Sequence, residues 1–248
     1  MNRTHQASDT RLRVGVVIFP GSNCDADAVD AIEQSLHATA VHLWHDTPAD
    51  TLHPDTLDAL FIPGGFSYGD YLRCGAMAKQ SPIMPFVKAF ATLGKPILGV
   101  CNGFQILTEA GLLPGALVRN HHQRFICEQR TPLMVSNTHT CFTTAYTQAQ
   151  RIELPIAHGE GCYVADADTL ARLEANNQVV FRYLRNPNGS MNDIAGIINE
   201  QGNVLGLIPH PERNLHALAT SLFSGEGHGV FASLRQHLVQ RTPTLQPV

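Results

Sequence analysis

Cys101 stands at the centre of Gly99-Val-Cys-Asn-Gly103, with the apolar run Pro96-Ile97-Leu98 before it and a helix-like segment over 104–110 after it. A cysteine flanked two residues away by glycines marks a nucleophile elbow, the strand-to-helix turn that presents a reactive side chain at a sheet edge. Gly99 and Gly103 let the turn pass close to its neighbours. The N–H groups at the start of the following helix favour the thiolate, the attacking form of sulfur. Such a nucleophile needs a base, and the base needs an orienter. Pro209-His210-Pro211-Glu212-Arg213 follows the apolar run 204–208. In an extended segment His210 and Glu212 share one side, and Pro211 fixes a torsion between them. Glu212 is then placed to accept from one imidazole nitrogen while the other faces Cys101. His158-Gly159-Glu160 has the same spacing. Its glycine leaves the backbone looser and its preceding run is shorter and less apolar, so His210 is the expected base and His158 the rival, on a loop lining the substrate pocket.

Attack on an amide carbonyl creates an oxyanion that needs preorganised donors. The N–H of Asn102 follows the nucleophile, and the Gly64-Gly65 turn offers a second donor, Gly65, where no side chain blocks a ligand. Gln105 lies one helical turn after Cys101 and can offer its amide to a polar substrate. Of the thirteen histidines, the other eleven form no metal set; His121 and His122 are adjacent and diverge in regular structure.

Behind these residues stands a chain of 248 residues that is 44% hydrophobic and 15% charged, with a net charge of −4. It can fill a sizeable core. It has no basic run to serve a nucleic acid or an anionic membrane, no stretch long enough to span a bilayer, and a polar first thirteen residues unlike a signal peptide. A cytoplasmic location is expected. The six cysteines are dispersed without a C-x-x-C pair, against a zinc ribbon or a disulfide framework.

The elements that must position the chemistry are legible as alternation. Strands are expected at 12–19, 40–44, 57–62 and 95–100, with helices from Ser22 or Asn23 as cap to about 36 and over 83–93. Residues 119–164 are less regular, with β-like pieces at 133–135 and 142–145. Further strands are expected at 179–183, 194–199 and 204–208, and a last helix over 231–239. This predicts an α/β fold with a doubly wound, mostly parallel sheet and helices on both faces, in which ligands bind outside the carboxyl ends of strands. Gly64-Gly65 and Cys101 both lie at such ends. Residues 1–11 are expected to be a disordered lead-in, 12–241 one domain and 242–248 a frayed tail.

These motifs resemble those of the class I glutamine amidotransferases, through Cys101-Asn-Gly-Phe-Gln105, the Pro-Gly-Gly turn and the His-Pro-Glu pair. More narrowly the chain resembles the glutaminase subunits of phosphoribosylformylglycinamidine synthases of de novo purine synthesis. That match rests on Pro20-Gly-Ser-Asn-Cys-Asp25, Gly64-Gly-Phe-Ser-Tyr-Gly-Asp-Tyr-Leu-Arg73, Pro155-Ile-Ala-His-Gly-Glu-Gly161, Asn186-Pro-Asn-Gly-Ser190 and His210-Pro-Glu-Arg213. The resemblance implies a flavodoxin-like fold and a Cys101 that attacks the glutamine carboxamide, releases ammonia and leaves a thioester for water to hydrolyse. It implies His210 as proton shuttle, Glu212 as its orienter, Gly65 and Asn102 as oxyanion donors, and Gln105, Gly159 and Glu160 as glutamine-binding. It implies no cofactor in this chain, with ATP and magnesium in a partner synthetase that makes formylglycinamidine ribonucleotide, and a small third subunit. The chain is expected to be the separate glutaminase, with Cys74 where a small residue such as alanine is expected. The competing readings are a stand-alone cysteine hydrolase or peptidase, which needs neither Gln105 nor the His-Pro-Glu pair, and a catalytically silent module, which has no need to keep Cys101, His210 and Glu212. Flavodoxin-like cofactor binding is disfavoured by the lack of Gly-x-Gly-x-x-Gly after the first strand.

Overall fold

Val14, Val16 and Val17 leave no polar face on the first strand, and such a strand is stable only when both faces are covered. The computed structural model describes residues 11–216 and 225–241. In it this strand is β1 (Arg13–Ile18), and the chain returns through α1 (Asp25–Gln34) to β2 (Thr39–Trp44), parallel to β1. β3 (Ala59–Ile62) lies parallel on the other side of β1. α2 (Met84–Thr92), β4 (Ile97–Val100) and α3 (Asn102–Glu109) follow, and β4 is parallel to β3.

After α3 come β5 (Ala116–Val118), the long β6 (Ile126–Val135) and β7 (Arg151–His158), then β8 (Cys162–Val164) and α4 (Ala167–Ala175). The last elements are β9 (Val179–Tyr183), β10 (Ile194–Ile198), β11 (Val204–Leu207) and α5 (His228–Arg241). Among the described residues nine strands form one sheet in the order β2-β1-β3-β4-β11-β10-β9-β6-β7, while β5 and β8 pair separately. From β2 to β11 all pairings are parallel; from β11 to β7 all are antiparallel.

Strand periodicity of two sorts the core into two layers. Val14, Val16, Phe61 and Leu98 face Ala28 and Ile32 of α1 and Phe231 and Leu234 of α5. Val17, Leu60, Ile62 and Ile97 face Phe86 and Phe90 of α2, Phe104 and Leu107 of α3, and Leu173 of α4. The doubly wound α/β sheet expected from alternation is therefore present, extended by an antiparallel half.

Three local expectations are corrected. Residues 142–145 are turns rather than β-like, because the Thr140 hydroxyl accepts from Phe142 N and bonds the Thr143 hydroxyl. Neither Ser22 nor Asn23 caps α1: the cap position is Cys24, and the Ser22 hydroxyl accepts from Phe19 N instead. The elbow helix starts at Asn102, directly after Cys101. α4 was not expected; its signal is Asp166, whose carboxylate accepts from Thr169 N at 2.7 Å. Residues 1–10 of the expected lead-in, and the tail 242–248, lie outside the described residues. Among the described residues no helix is long and apolar enough to cross a membrane.

Candidate active site

Cys101 is the single residue between β4 and α3, and it occupies φ 51°, ψ −106°. A non-glycine residue holds such a conformation only where its surroundings enforce it. They do so here by contact. A Cβ on Gly103 would lie 2.0 Å from the Ile62 carbonyl oxygen, and one on Gly99 would lie 2.4 Å from Leu107 Cδ1. The turn is pressed against β3 with no room for side chains at either glycine. Cys101 Sγ ends 3.7 Å from the Ala157 carbonyl oxygen, to which it donates.

His210 arrives from β11, the strand parallel to β4 on its far side from β3. Its backbone N–H donates to the Pro155 carbonyl at 2.8 Å. Residues Pro211–Arg213 form a 3-10 turn, so the segment is folded rather than extended as the spacing suggests. Even so, His210 Nδ1 lies 2.6 Å from Glu212 Oε1, with both side chains buried. Burial alone would depress the His210 pKa. The Glu212 carboxylate, then the thiols of Cys101 and Cys24, outweigh it and raise the pKa well above that of a free histidine.

His158 is treated oppositely. It ends β7, buried, with Nδ1 3.0 Å from the side-chain oxygen of Asn120. Among the described residues no carboxylate orients it. Burial first, then the charges of His210 and His122, hold its pKa down at about 4. Two imidazoles near one sulfur thus have environments that drive their protonation apart, a pattern of acid–base sites.

Gly65 opposes Ser22 in an antiparallel bridge closed by Phe66 N to Gly21 O and Cys24 N to Gly64 O. In such a pair the facing residues point their own N–H groups away from each other, so the Gly65 N–H is turned away from the 20–24 loop. Its φ of +144° and a Cβ position 2.7 Å from Asn23 N leave glycine as the residue that fits. The Asn102 N–H belongs to the first turn of α3, where no intrahelical acceptor exists. Gly65 and Cys101 line one cavity of about 290 Å³, together with Gln105, Gly159 and Glu160.

A buried amide chain locks this wall. Asn102 accepts from Ser67 N at 3.1 Å and donates to Gln105 Oε1 at 2.8 Å, and Gln105 Nε2 donates to the Glu160 carbonyl at 2.6 Å. Both ends of the Gln105 amide are engaged, so it holds the 158–160 loop against the elbow helix. Opposite charges also face the cavity: Asp70 and Glu160, and Arg119 and Arg124, with Arg119 3.5 Å from Glu160. Asp70 has its pKa raised, first by burial and further by Glu160, with Cys74 opposing, and its Oδ1 is buried without a partner among the described residues. The Cys74 thiol beside these carboxylates is pushed far up by burial and by their charge, so it does not compete as a thiolate. Asp70 sits inside a motif already singled out, but nothing marked it individually. Arg119, Arg124 and Asn120 carried no sequence signal, because their relevance comes from loops brought together by the antiparallel half of the sheet.

The CobB/CobQ-like glutamine amidotransferase domain family matches residues 11–238. The chain belongs to this family. The amidotransferase is also similar to a chain of the PurLQS structure from Thermotoga maritima, at 43% identity and a TM-score of 0.82, covering 92% of this chain and 99% of that one. A glutamine amidotransferase from Thermotoga maritima shares its fold at 16% identity and a TM-score of 0.58, covering 93% of this chain and 99% of that one. The family read from the elbow, the Gly-Gly turn and the His-Pro-Glu pair is the family found, and the chain is a glutamine amidotransferase.

Proposed function

We propose that this amidotransferase hydrolyses glutamine through a Cys101 thioester and delivers the ammonia to the ATP-dependent conversion of formylglycinamide ribonucleotide into formylglycinamidine ribonucleotide. What supports the chemistry is the strained conformation of Cys101, together with a His210 imidazole that is tied to the buried Glu212 carboxylate at 2.6 Å and whose pKa the Cys101 thiol helps to raise. The thiolate attacks the side-chain carboxamide carbon, the carbonyl electrons move onto oxygen, and the N–H groups of Gly65 and Asn102 receive that charge. Protonated His210 gives its proton to the departing nitrogen, and ammonia leaves. Neutral His210, oriented by Glu212, then takes a proton from water as it attacks the thioester, and glutamate departs with Cys101 restored. Glutamine and water in, glutamate and ammonia out, balances the cycle.

The cavity suits the free amino acid. Asp70 and Glu160 face an ammonium group, and Arg119 and Arg124 a carboxylate. Gln105 and Gly159 shape the same wall. The ribonucleotide step needs ATP and magnesium, which belong to a synthetase subunit; with it we place a small third subunit, a cytoplasmic location, and no nucleic-acid or membrane partner. Residues 12–241 act as one glutaminase domain.

The test compares glutamine with ammonia as nitrogen source in the assembled complex. Cys101→Ser is expected to abolish glutamine-dependent amidine formation while ammonia-dependent formation continues. Loss of both, or glutamine use by the variant, overturns the reading.

A further inference from the structure

Cys24 takes no part in the mechanism above, yet its sulfur lies beside the residues that do. A Cβ added to Gly64 would lie 3.0 Å from Cys24 Sγ, 3.4 Å from Cys101 Cβ and 2.8 Å from His210 Cε1. Residue 64 is glycine, so no side chain of its own stands between the two cysteines there. Both thiols also act on the same His210 ring. Their access to solutes differs. Cys101 lines the cavity of about 290 Å³. Cys24 is buried, and its Sγ accepts from Arg213 Nη2 at 2.9 Å. A disulfide needs β-carbons about 3.5–4.5 Å apart. The contacts to be given up on the way are weak: Cys101 Sγ to the Ala157 carbonyl at 3.7 Å, and Cys24 N to the Gly64 carbonyl at 3.3 Å. Cys74 lines the same cavity as Cys101. Burial and its bonds to Glu160 and Asp70 hold its proton on, so it is a poor attacking thiol.

We propose that Cys101 and Cys24 are a paired oxidation site, which hydrogen peroxide closes into a reversible disulfide that stops glutamine use and spares the nucleophile from irreversible oxidation. Peroxide is small enough to reach Cys101 through the glutamine cavity. The Cys101 sulfur attacks one peroxide oxygen. An S–O bond forms, the O–O bond breaks, and hydroxide leaves with the Cys101 thiol proton as water. The Cys24 sulfur then attacks the sulfenic sulfur of Cys101. The S–S bond forms, the S–O bond breaks, and hydroxide leaves with the Cys24 proton as a second water. Two thiols and one peroxide give one disulfide and two waters, with sulfur oxidised and peroxide oxygen reduced. The Arg213 N–H on the attacking sulfur offsets the negative charge it carries as its proton leaves, and Arg213 is itself held by Asp27 at 2.9 Å. A thiol reductant reopens the bridge by exchange. The loss of activity rests on the proposed glutaminase mechanism; the bridge does not.

The test uses the reduced full chain and hydrogen peroxide. Wild type, Cys24→Ser and Cys24→Ala are checked by thermal unfolding, treated with peroxide, capped with an alkylating reagent and mapped by peptide mass spectrometry. In wild type a linked pair of peptides carrying Cys24 and Cys101 is expected, with the chain lighter by two hydrogens, and dithiothreitol should separate it. In the Cys24 variants Cys101 should instead be trapped by dimedone as sulfenic acid and pass on to sulfinic acid, which dithiothreitol does not reverse. In the assembled complex, peroxide should abolish glutamine-dependent amidine formation and leave ammonia-dependent formation intact. Dithiothreitol should restore the former in wild type and not in either Cys24 variant. A Cys101–Cys74 bridge, or sulfinic acid at Cys101 with Cys24 still free in wild type, overturns the pairing. Both are read from the wild-type chain alone, whatever the variants' stability. A Cys24–Cys101 bridge with glutamine use unchanged would keep the pairing and overturn Cys101 as the nucleophile.

Discussion

The contact between His210 Nδ1 and Glu212 Oε1 has no counterpart at His158, whose Nδ1 meets the neutral amide of Asn120. An imidazole beside a carboxylate can carry a proton in a dry site; one beside an amide, with a pKa of about 4, cannot hold it at neutral pH. His210→Ala should therefore lower glutamine-dependent turnover by roughly 10²–10⁴-fold, the range of a lost general acid–base. His158→Ala should cost far less. Steady-state assays of the assembled complex decide it, and the reverse ranking would move the base to His158. Asp70 gives a second prediction. Asp70 lines the cavity and its Oδ1 has no hydrogen-bond partner among the described residues, so Asp70→Asn should raise the KM for glutamine while leaving ammonia-dependent synthesis intact. A change in kcat alone would take Asp70 out of the binding set. At this scale the sequence pointed to the atoms proposed to react and not to their surroundings. Cys101, His210 and Glu212 announce themselves by residue type and spacing within a few positions. Asn120, Arg119 and Arg124 meet the site only because distant loops converge, and no local pattern encodes that.

The elbow is an element-level device. β4 and α3 meet through Cys101 because Gly103 lies under the Ile62 carbonyl at the end of β3. Adding one methyl there puts a carbon 2.0 Å from a backbone oxygen, which no rotamer change relieves. Gly103→Ala should destabilise the fold by about 1–3 kcal/mol, as overpacking in dense cores does. It should also lower turnover, by tilting the helix that carries the Asn102 amide. Denaturant midpoints and glutamine assays on the same preparation check both, and a variant with wild-type stability and turnover would show that the turn is looser than its contacts require. The parallel strands were readable because each is a short apolar run ended by glycine, proline or a turn. β6 was readable only over 133–135 and β7 not at all, because they are long, carry Glu128, Arg130 and Glu153 at partly or fully exposed positions, and are broken by a register shift between Glu128 and Thr131. α4 was missed for a related reason: it buries only Thr169 and Leu173, too little apolar periodicity to stand out beside its Asp166 cap.

At the scale of the whole molecule, the two histidines tie stability to pH in opposite directions. His210 has a raised pKa in the fold. Its contribution is complete below the ordinary histidine value and is lost as pH rises through the folded one. His158 has a folded pKa of about 4 against an ordinary 6.5. Between those values the unfolded chain binds the extra proton and the folded chain refuses it, so stability falls as pH drops from 6.5 towards 4. The total is at most about 3.5 kcal/mol, at roughly 1.4 kcal/mol per unit. Glu109, whose pKa is lowered first by its hydrogen bond to Arg73, begins to add loss only as pH falls through the ordinary carboxylate value of 4.5. The early part of the acid limb therefore belongs to His158. His158→Gln keeps a polar head for Asn120 and has no proton to gain, so urea midpoints measured from pH 7 to pH 4 should fall less steeply than for wild type, the difference moving in the variant's favour towards the acid end. Parallel curves would mean that His158 is protonated in the fold, and that the neutral half of this paired-imidazole site has been assigned to the wrong ring.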